Sequence, residues 1–409
     1  TAAAGVVAVG YQALYDNTAN YITGVGYNAL TNNTSGVNNT ALGFGTLSGN
    51  TTGGQNTGVG DNVLSSNTTQ SRNTAMGYWA ARQSTATELV AIGYNALGGV
   101  NSGSFNTAVG SQSLDANTSG TQNTALGYGS LTTNTTGSSN TGLGSGVLLD
   151  NSTGANNTAV GRDALANNTT TSNNTAVGYR AAYFSNGGTM TAVGSDALYA
   201  NTTGVANVGV GYAALQNNTT GYYNVAIGHY YDSGGTSALY NNTTGYQNVA
   251  IGSGSMRDNT TGALNVAVGY ASLRANNATG GVSIGAFSLL NNTVGSNTAV
   301  GYYAMNANTT GYGTAVGYEA LRNNTTGNPN TAIGWGALYS NTTGSYNDAH
   351  GQQALFYNTT GSYNVAMGYQ AGQSVTTGGR HTFVGYNAGG ATTTPYDNTA
   401  IGFNAMGAT

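Results

Sequence analysis

The chain has 409 residues, of which only 5% are charged, with a formal net charge of -4, 66 glycines and no cysteine. Lacking cysteine, it has neither a disulfide framework nor a thiolate metal site, and its eight basic residues, all arginine, are too scattered for a nucleic-acid patch. Apolar runs extend for only a few residues, far short of the roughly 20 a helix needs to insert into a membrane.

Length alone suggests two or three domains, but internal repetition overrides it. The stretch Asn-Thr-Ala-Val-Gly-Tyr at residues 174–179 recurs with small variation along the chain. Indexed by its glycine, it starts at Gly10, Gly26 and Gly43 and runs to Gly385 and Gly402, making 24 copies, all but one step being 16 or 17 residues. Such self-similarity dictates a repeat architecture.

Within each copy two segments read as extended. The first is Thr/Val-Ala-Val/Ile, in which alternation puts the β-branched pair on one face and alanine on the other. Because Thr exchanges freely with Val208, Val225, Val249 and Val266, the β-branched pair is expected inside. The second is Tyr-x-Ala-Leu, as at residues 212–215, whose leucines form a column through Leu30, Leu47, Leu64, Leu97 and Leu114. The index glycine suits a bend and Asn-Asn-Thr-Thr-Gly a tight turn. The predicted fold is all-β: a parallel β-solenoid of about 24 coils with a 17-residue repeat, each coil having two short strands and two turns, stabilised by stacking. Asn stands four residues before the index glycine in 17 of the 24 copies, which predicts an amide ladder. Tyr follows the glycine in 12 copies, which predicts a ladder of packed rings.

Irregularities mark the loops. The 24-residue step from Gly228 to Gly252 puts an extra loop at residues 231–237, where Tyr231, Asp232 and Thr236 are candidate surface contacts. Residues 81–89 and 182–190 break the turn pattern, and the last coils loosen where Gly372 and Gly389 replace leucine. No shift of composition divides the chain, so residues 1–409 read as one continuous array, expected to be part of a longer fibre chain or a stacking subunit.

Candidate chemistry is sparse. Asp348-Ala349-His350 takes the place of Thr-Ala-Val and is expected to be an inward, satisfied pair. No carboxylate pair recurs, no phosphate-loop pattern with lysine exists, and aspartate is too rare for calcium-binding repeats. The reading is therefore no enzyme, no cofactor and no metal. Asn217, Asn218, Asn323 and Asn324 satisfy the Asn-x-Ser/Thr rule and are candidate glycosylation sites, although the same residues suit turn chemistry.

Asn-Thr-Ala-Val-Gly, and Asn-Val-Ala-Ile-Gly at residues 224–228, resemble the Ser-Val-Ala-Ile-Gly repeats of trimeric autotransporter adhesin heads. They are also similar to the Asn-Thr-Ala-Val-Gly-Tyr-x-Ala-Leu arrays of phage tail-fibre-like proteins. The resemblance implies a left-handed β-roll, side-by-side trimers and attachment outside the cell. The expected function is an extracellular structural or adhesive fibre segment, on a cell surface or a virion. Its expected partners are copies of itself, as a homotrimer or an end-to-end filament, and a cell-surface glycan or receptor. The alternative is a self-assembling matrix filament subunit. Ice or polysaccharide binding ranks lower, because the strand threonine alternates with valine and the threonine pairs sit in turns.

Overall fold

The computed structural model describes residues 4–229, 237–393 and 396–407. The chain forms two compact units, Thr1–Thr203 and Gly204–Thr409. Each is a parallel β-solenoid, and the described residues contain no helix. The first unit carries strands from Val6–Val9 to Thr191–Val193, the second from Val208–Val210 to Thr399–Ile401. Successive copies pair in register, like residue on like: Thr158 lies beside Thr175, Ala159 beside Ala176 and Val160 beside Val177. Positions below are counted from the index glycine, negative before it and positive after it.

The first correction concerns strand number. Each rung has one strand of three or four residues, and Tyr-x-Ala-Leu is a run of turns. In it, positions +2 and +4 take left-handed backbone, as in Asn62 (φ 51°) and Leu64 (φ 50°). That conformation costs a non-glycine residue roughly 1–2 kcal/mol. It persists because the alternation sends successive amides in opposite directions. Asn62 N–H donates back to Phe44 O at 2.8 Å, and Leu64 N–H donates forward to Ala80 O at 3.2 Å. Burying the leucine, worth about 1.5–3 kcal/mol, offsets the strain.

The second correction reverses the strand. The central alanines, among them Ala41, Ala108, Ala159 and Ala176, are completely buried, while the flanking Thr and Val/Leu/Ile residues are half-exposed or exposed. The interior beside the strand is narrow, and the position +3 side chain fills it from the other side. The strand has glycine where two larger +3 residues close on it, Gly58 between Thr46 and Val63 and Gly142 between Ser130 and Val147. A Cβ on Gly58 would lie 2.6 Å from Thr46 Cγ2, and one on Gly142 would lie 2.8 Å from Ser130 Oγ. Alanine is thus the largest common residue that fits, and β-branched side chains have only the outer face.

The same exchange of volume explains the irregular rungs. Ala81 and Ala182 replace leucine at +4, while Leu89 and Met190, both buried, replace asparagine at −4 of the index glycine that follows. Near the end of the second unit Phe383 takes the alanine position and is fully buried. It occupies the space vacated at Gly372 and Gly389, where a Cβ would meet the ring at 2.8 and 2.5 Å. Those coils are not loose; they are repacked.

The rest of the interior is polar. The amide ladder runs mainly through the asparagine at +7, not −4. Asn134 donates to Asn117 Oδ1 at 2.9 Å and to Gly137 O at 3.0 Å, and accepts from Asn151 Nδ2 at 2.9 Å. The asparagine at −4 serves the backbone. Asn123 Oδ1 accepts from Asn140 N–H at 3.0 Å, and its Nδ2 donates to Gly137 O at 2.9 Å. Most buried amides are satisfied by neighbouring rungs, as burial requires, but Asn259 Oδ1 and Asn358 Oδ1 in the +7 column have no partner.

Candidate functional site

With alanine and asparagine inside, the outer face of the strand is a set of ranks at the ~4.8 Å spacing of a sheet. Position −1 is a rank of aliphatic side chains: Leu42, Met76, Ile92, Leu126 and Leu143 in the first unit, Ile227, Ile251, Ile284, Ile333 and Met367 in the second. All of these are exposed. Position −3 is a rank of Thr and Val. In the first unit it is threonine in six consecutive strands, those that begin at Thr107, Thr124, Thr141, Thr158, Thr175 and Thr191. Valine interrupts this rank in the second unit, at Val208, Val225, Val249 and Val266, but not within this run of six.

Beside these ranks run the rings at +1. Tyr11, Tyr27 and Phe44 stack at 5.1 and 5.2 Å, and Tyr369, Tyr386 and Phe403 at 5.0 Å each. Stacking occupies the faces of these rings and leaves their edges to solvent, so inside a stack they do not offer a sugar a platform. A second ring column, at +5, was missed: Tyr183 stacks on Tyr199 at 5.5 Å and Tyr339 on Phe356 at 4.8 Å. Its signal was present as aromatic residues five after the index glycine, at Tyr15, Tyr183, Tyr199, Tyr339 and Phe356. Arginines pack against these columns: the Arg180 guanidinium lies 4.7 Å from the Tyr179 ring and 4.9 Å from that of Tyr199.

The candidate glycosylation sites divide by burial. Asn218 and Asn324 are fully buried at +7. Asn218 Nδ2 donates to Gly221 O at 2.9 Å and its Oδ1 accepts from Asn242, while Asn324 Nδ2 donates to Asn308 Oδ1 at 2.8 Å. Asn217 and Asn323, one residue earlier, are half-exposed. The following threonines are also structural: Thr325 Oγ1 donates to Thr342 O at 3.0 Å, a bond repeated along the turn. Tyr231, Asp232 and Thr236 lie outside the described residues.

Asp348 and His350 face outward, not inward, for the same reason as Thr and Val. They flank buried Ala349, and His350 Nε2 lies 2.7 Å from Asp348 Oδ1 with both side chains half-exposed. His350 is flanked in register by Ile333 and Met367. Among the described residues no three His, Asp or Glu side chains gather to hold a metal ion. His381 is different. It stands at −4 in place of asparagine, is buried, and its Nδ1 accepts from Asn398 N–H at 3.2 Å as an amide oxygen would. Burial pushes its pKa down, partly opposed by Asp397. Its ring stacks on Phe383 at 5.2 Å.

The ranks together make a neutral, rigid, ordered surface, suited to binding through shape and apolar contact. No family model matches the chain, and no curated protein matches it.

Proposed function

We propose that the chain is a structural and adhesive segment of an extracellular fibre, of cell-surface or virion type, that associates side by side with copies of itself through the outer face of its sheets. The observation that supports this is the exposed aliphatic rank at −1 beside the rings at +1. In each unit these side chains expose on the order of 1,000 Å² of apolar surface, beyond the roughly 300–600 Å² patch of a typical monomer. That area matches the ~800 Å² per partner of a standard interface. Sedimentation at micromolar concentration tests the reading. The expected result is an oligomer that Leu126→Gln with Leu143→Gln weakens without lowering the melting temperature; a wild-type monomer at every concentration would refute lateral association.

The alternative, a matrix filament that extends by stacking, is separated by electron micrographs. Particles of fixed length support the fibre segment and threads of indefinite length the filament. Of the four candidate glycosylation sites, only half-exposed Asn217 and Asn323 are open to N-linked sugars; an intact mass equal to the bare 40.9 kDa polypeptide excludes them. The outward threonine rank of the first unit favours one second reading, ice binding, which inhibition of ice recrystallisation by micromolar protein tests.

A further inference from the structure

A groove in the second unit has the chemistry of a saccharide site. It opens on the turn side, away from the aliphatic rank, along position −5. Four successive residues there, Tyr346, Tyr363, Arg380 and Asp397, adopt left-handed backbone, with φ between 57° and 68°. Tyr346 and Tyr363 stack at 4.9 Å and 5°, so one face of Tyr363 is covered. The column then changes character. Arg380 turns to its other neighbours, with Nη2 2.8 Å from Asp397 Oδ2 and its guanidinium 5.4 Å from the centre of the Tyr396 ring. Between Tyr363 on one side and Arg380 with Tyr396 on the other lies a cavity of about 410 Å³. The hydroxyl residues Thr360 and Thr377 also line it. Gly379 is buried in its lining, and a Cβ there would lie 2.5 Å from Ser362 O, so no side chain can fill the groove from that position.

We propose that this groove binds a neutral pyranose saccharide of one or two sugar residues. The volume lies within the ~300–1,000 Å³ of small-ligand pockets. The exposed rings of Tyr363 and Tyr396 offer apolar surface to the C–H face of a sugar. Arg380, held by Asp397, presents N–H donors to the sugar hydroxyls, and Thr360, Ser362 and Thr377 add hydroxyls that donate and accept. The pair's charges cancel, which favours a neutral ligand over an anionic one. The site arises where a ring stack ends against an ion pair, so it is a local feature and not one repeated in every rung. It deepens the adhesive part of the proposed function and makes no use of the sheet face, so its failure would leave the sedimentation result standing.

Titration calorimetry of the full chain tests it, with methyl glycosides of glucose, galactose, mannose and N-acetylglucosamine, their β-linked disaccharides, and glucuronic acid as the anionic probe. At least one neutral sugar is expected to bind with millimolar Kd or tighter. Tyr363→Ala should weaken it tenfold or more, while Tyr128→Ala in the first unit leaves it unchanged. Should Tyr363→Ala fail to melt cooperatively, Arg380→Gln and Thr377→Val replace exposed side chains and carry the same expectation. Absence of binding by every neutral probe at tens of millimolar would overturn the proposal. So would tighter binding of glucuronic acid, or an unchanged Kd in a folded groove variant.

Discussion

Individual residues in this protein are constrained mostly by the rung above or below. A Cβ on Gly127, with φ 135°, would stand 2.3 Å from Gly144 O, so neither its backbone nor its space admits a side chain. Gly127→Ala is expected to cost more than about 4 kcal/mol, the range kept for strain combined with overpacking, and circular dichroism melting would show it. Phe383 poses the converse case. Phe383→Ala should lose about 3–5 kcal/mol through the cavity left between Gly372 and Gly389. Adding Gly372→Leu and Gly389→Leu, which restores the common packing, should recover part of that loss in urea titrations. His381 gives a pH signature. Its pKa is lowered in the folded chain, so the unfolded chain binds the proton more readily. Stability is fully present above the ordinary histidine pKa of about 6.5 and falls as pH drops from there toward the lowered value. Protonation would also set an N–H on Nδ1 against Asn398 N–H. The facing charge is Asp397, already paired with Arg380. The urea midpoint should therefore fall between pH 7.5 and pH 5, and His381→Asn, which restores the amide acceptor, should remove that fall.

At the scale of the element, one rung satisfies nothing by itself. Asn134 is held by Asn117 and in turn holds Asn151, all fully buried. Asn134→Ala leaves buried Asn117 Oδ1 without a partner, at about 1–3 kcal/mol, and takes one of two bonds from each of Asn151 Nδ2 and Gly137 O. Because rungs bond only to their neighbours, the damage should be local. Hydrogen exchange is expected to accelerate at the strands Thr124–Leu126 and Thr141–Leu143, while strands four or more rungs away in the same unit keep their protection; uniform acceleration would refute local coupling. The rung repeat, the glycine bend and the ring column were legible in the sequence because they recur at fixed spacing. The direction of the strand was not. Thr and Val exchange just as freely on a half-exposed outer face as in a core, so their substitution pattern did not distinguish inside from outside. The turn at Tyr-x-Ala-Leu was misread for a related reason: left-handed leucine is unfavourable alone and persists only between two neighbouring rungs.

For the whole molecule, the low charge has a direct consequence. With 5% charged residues and exposed ion pairs such as Arg380–Asp397, electrostatics contribute little to stability. Melting temperature should change by only a few degrees between low salt and about 1 M salt, where the Debye length falls to ~3 Å. A large salt dependence would mean that a charged interaction, and not the amide ladders, limits stability. The apolar face predicts the opposite response in association, which should strengthen as salting-out raises the cost of exposed aliphatic surface.

The sequence alone determined that this is a repeating, all-β, cysteine-free solenoid with like residues stacked on like, because a 16–17-residue period leaves each copy too small to bury a core alone. It also marked the rungs that depart from the pattern. Only the tertiary structure decided which face of the strand is inside, which asparagine carries the ladder, and that Phe383 answers Gly372 and Gly389. Those outcomes depend on the space between neighbouring rungs, where alanine fits and valine does not, and that space exists only once the rungs have stacked.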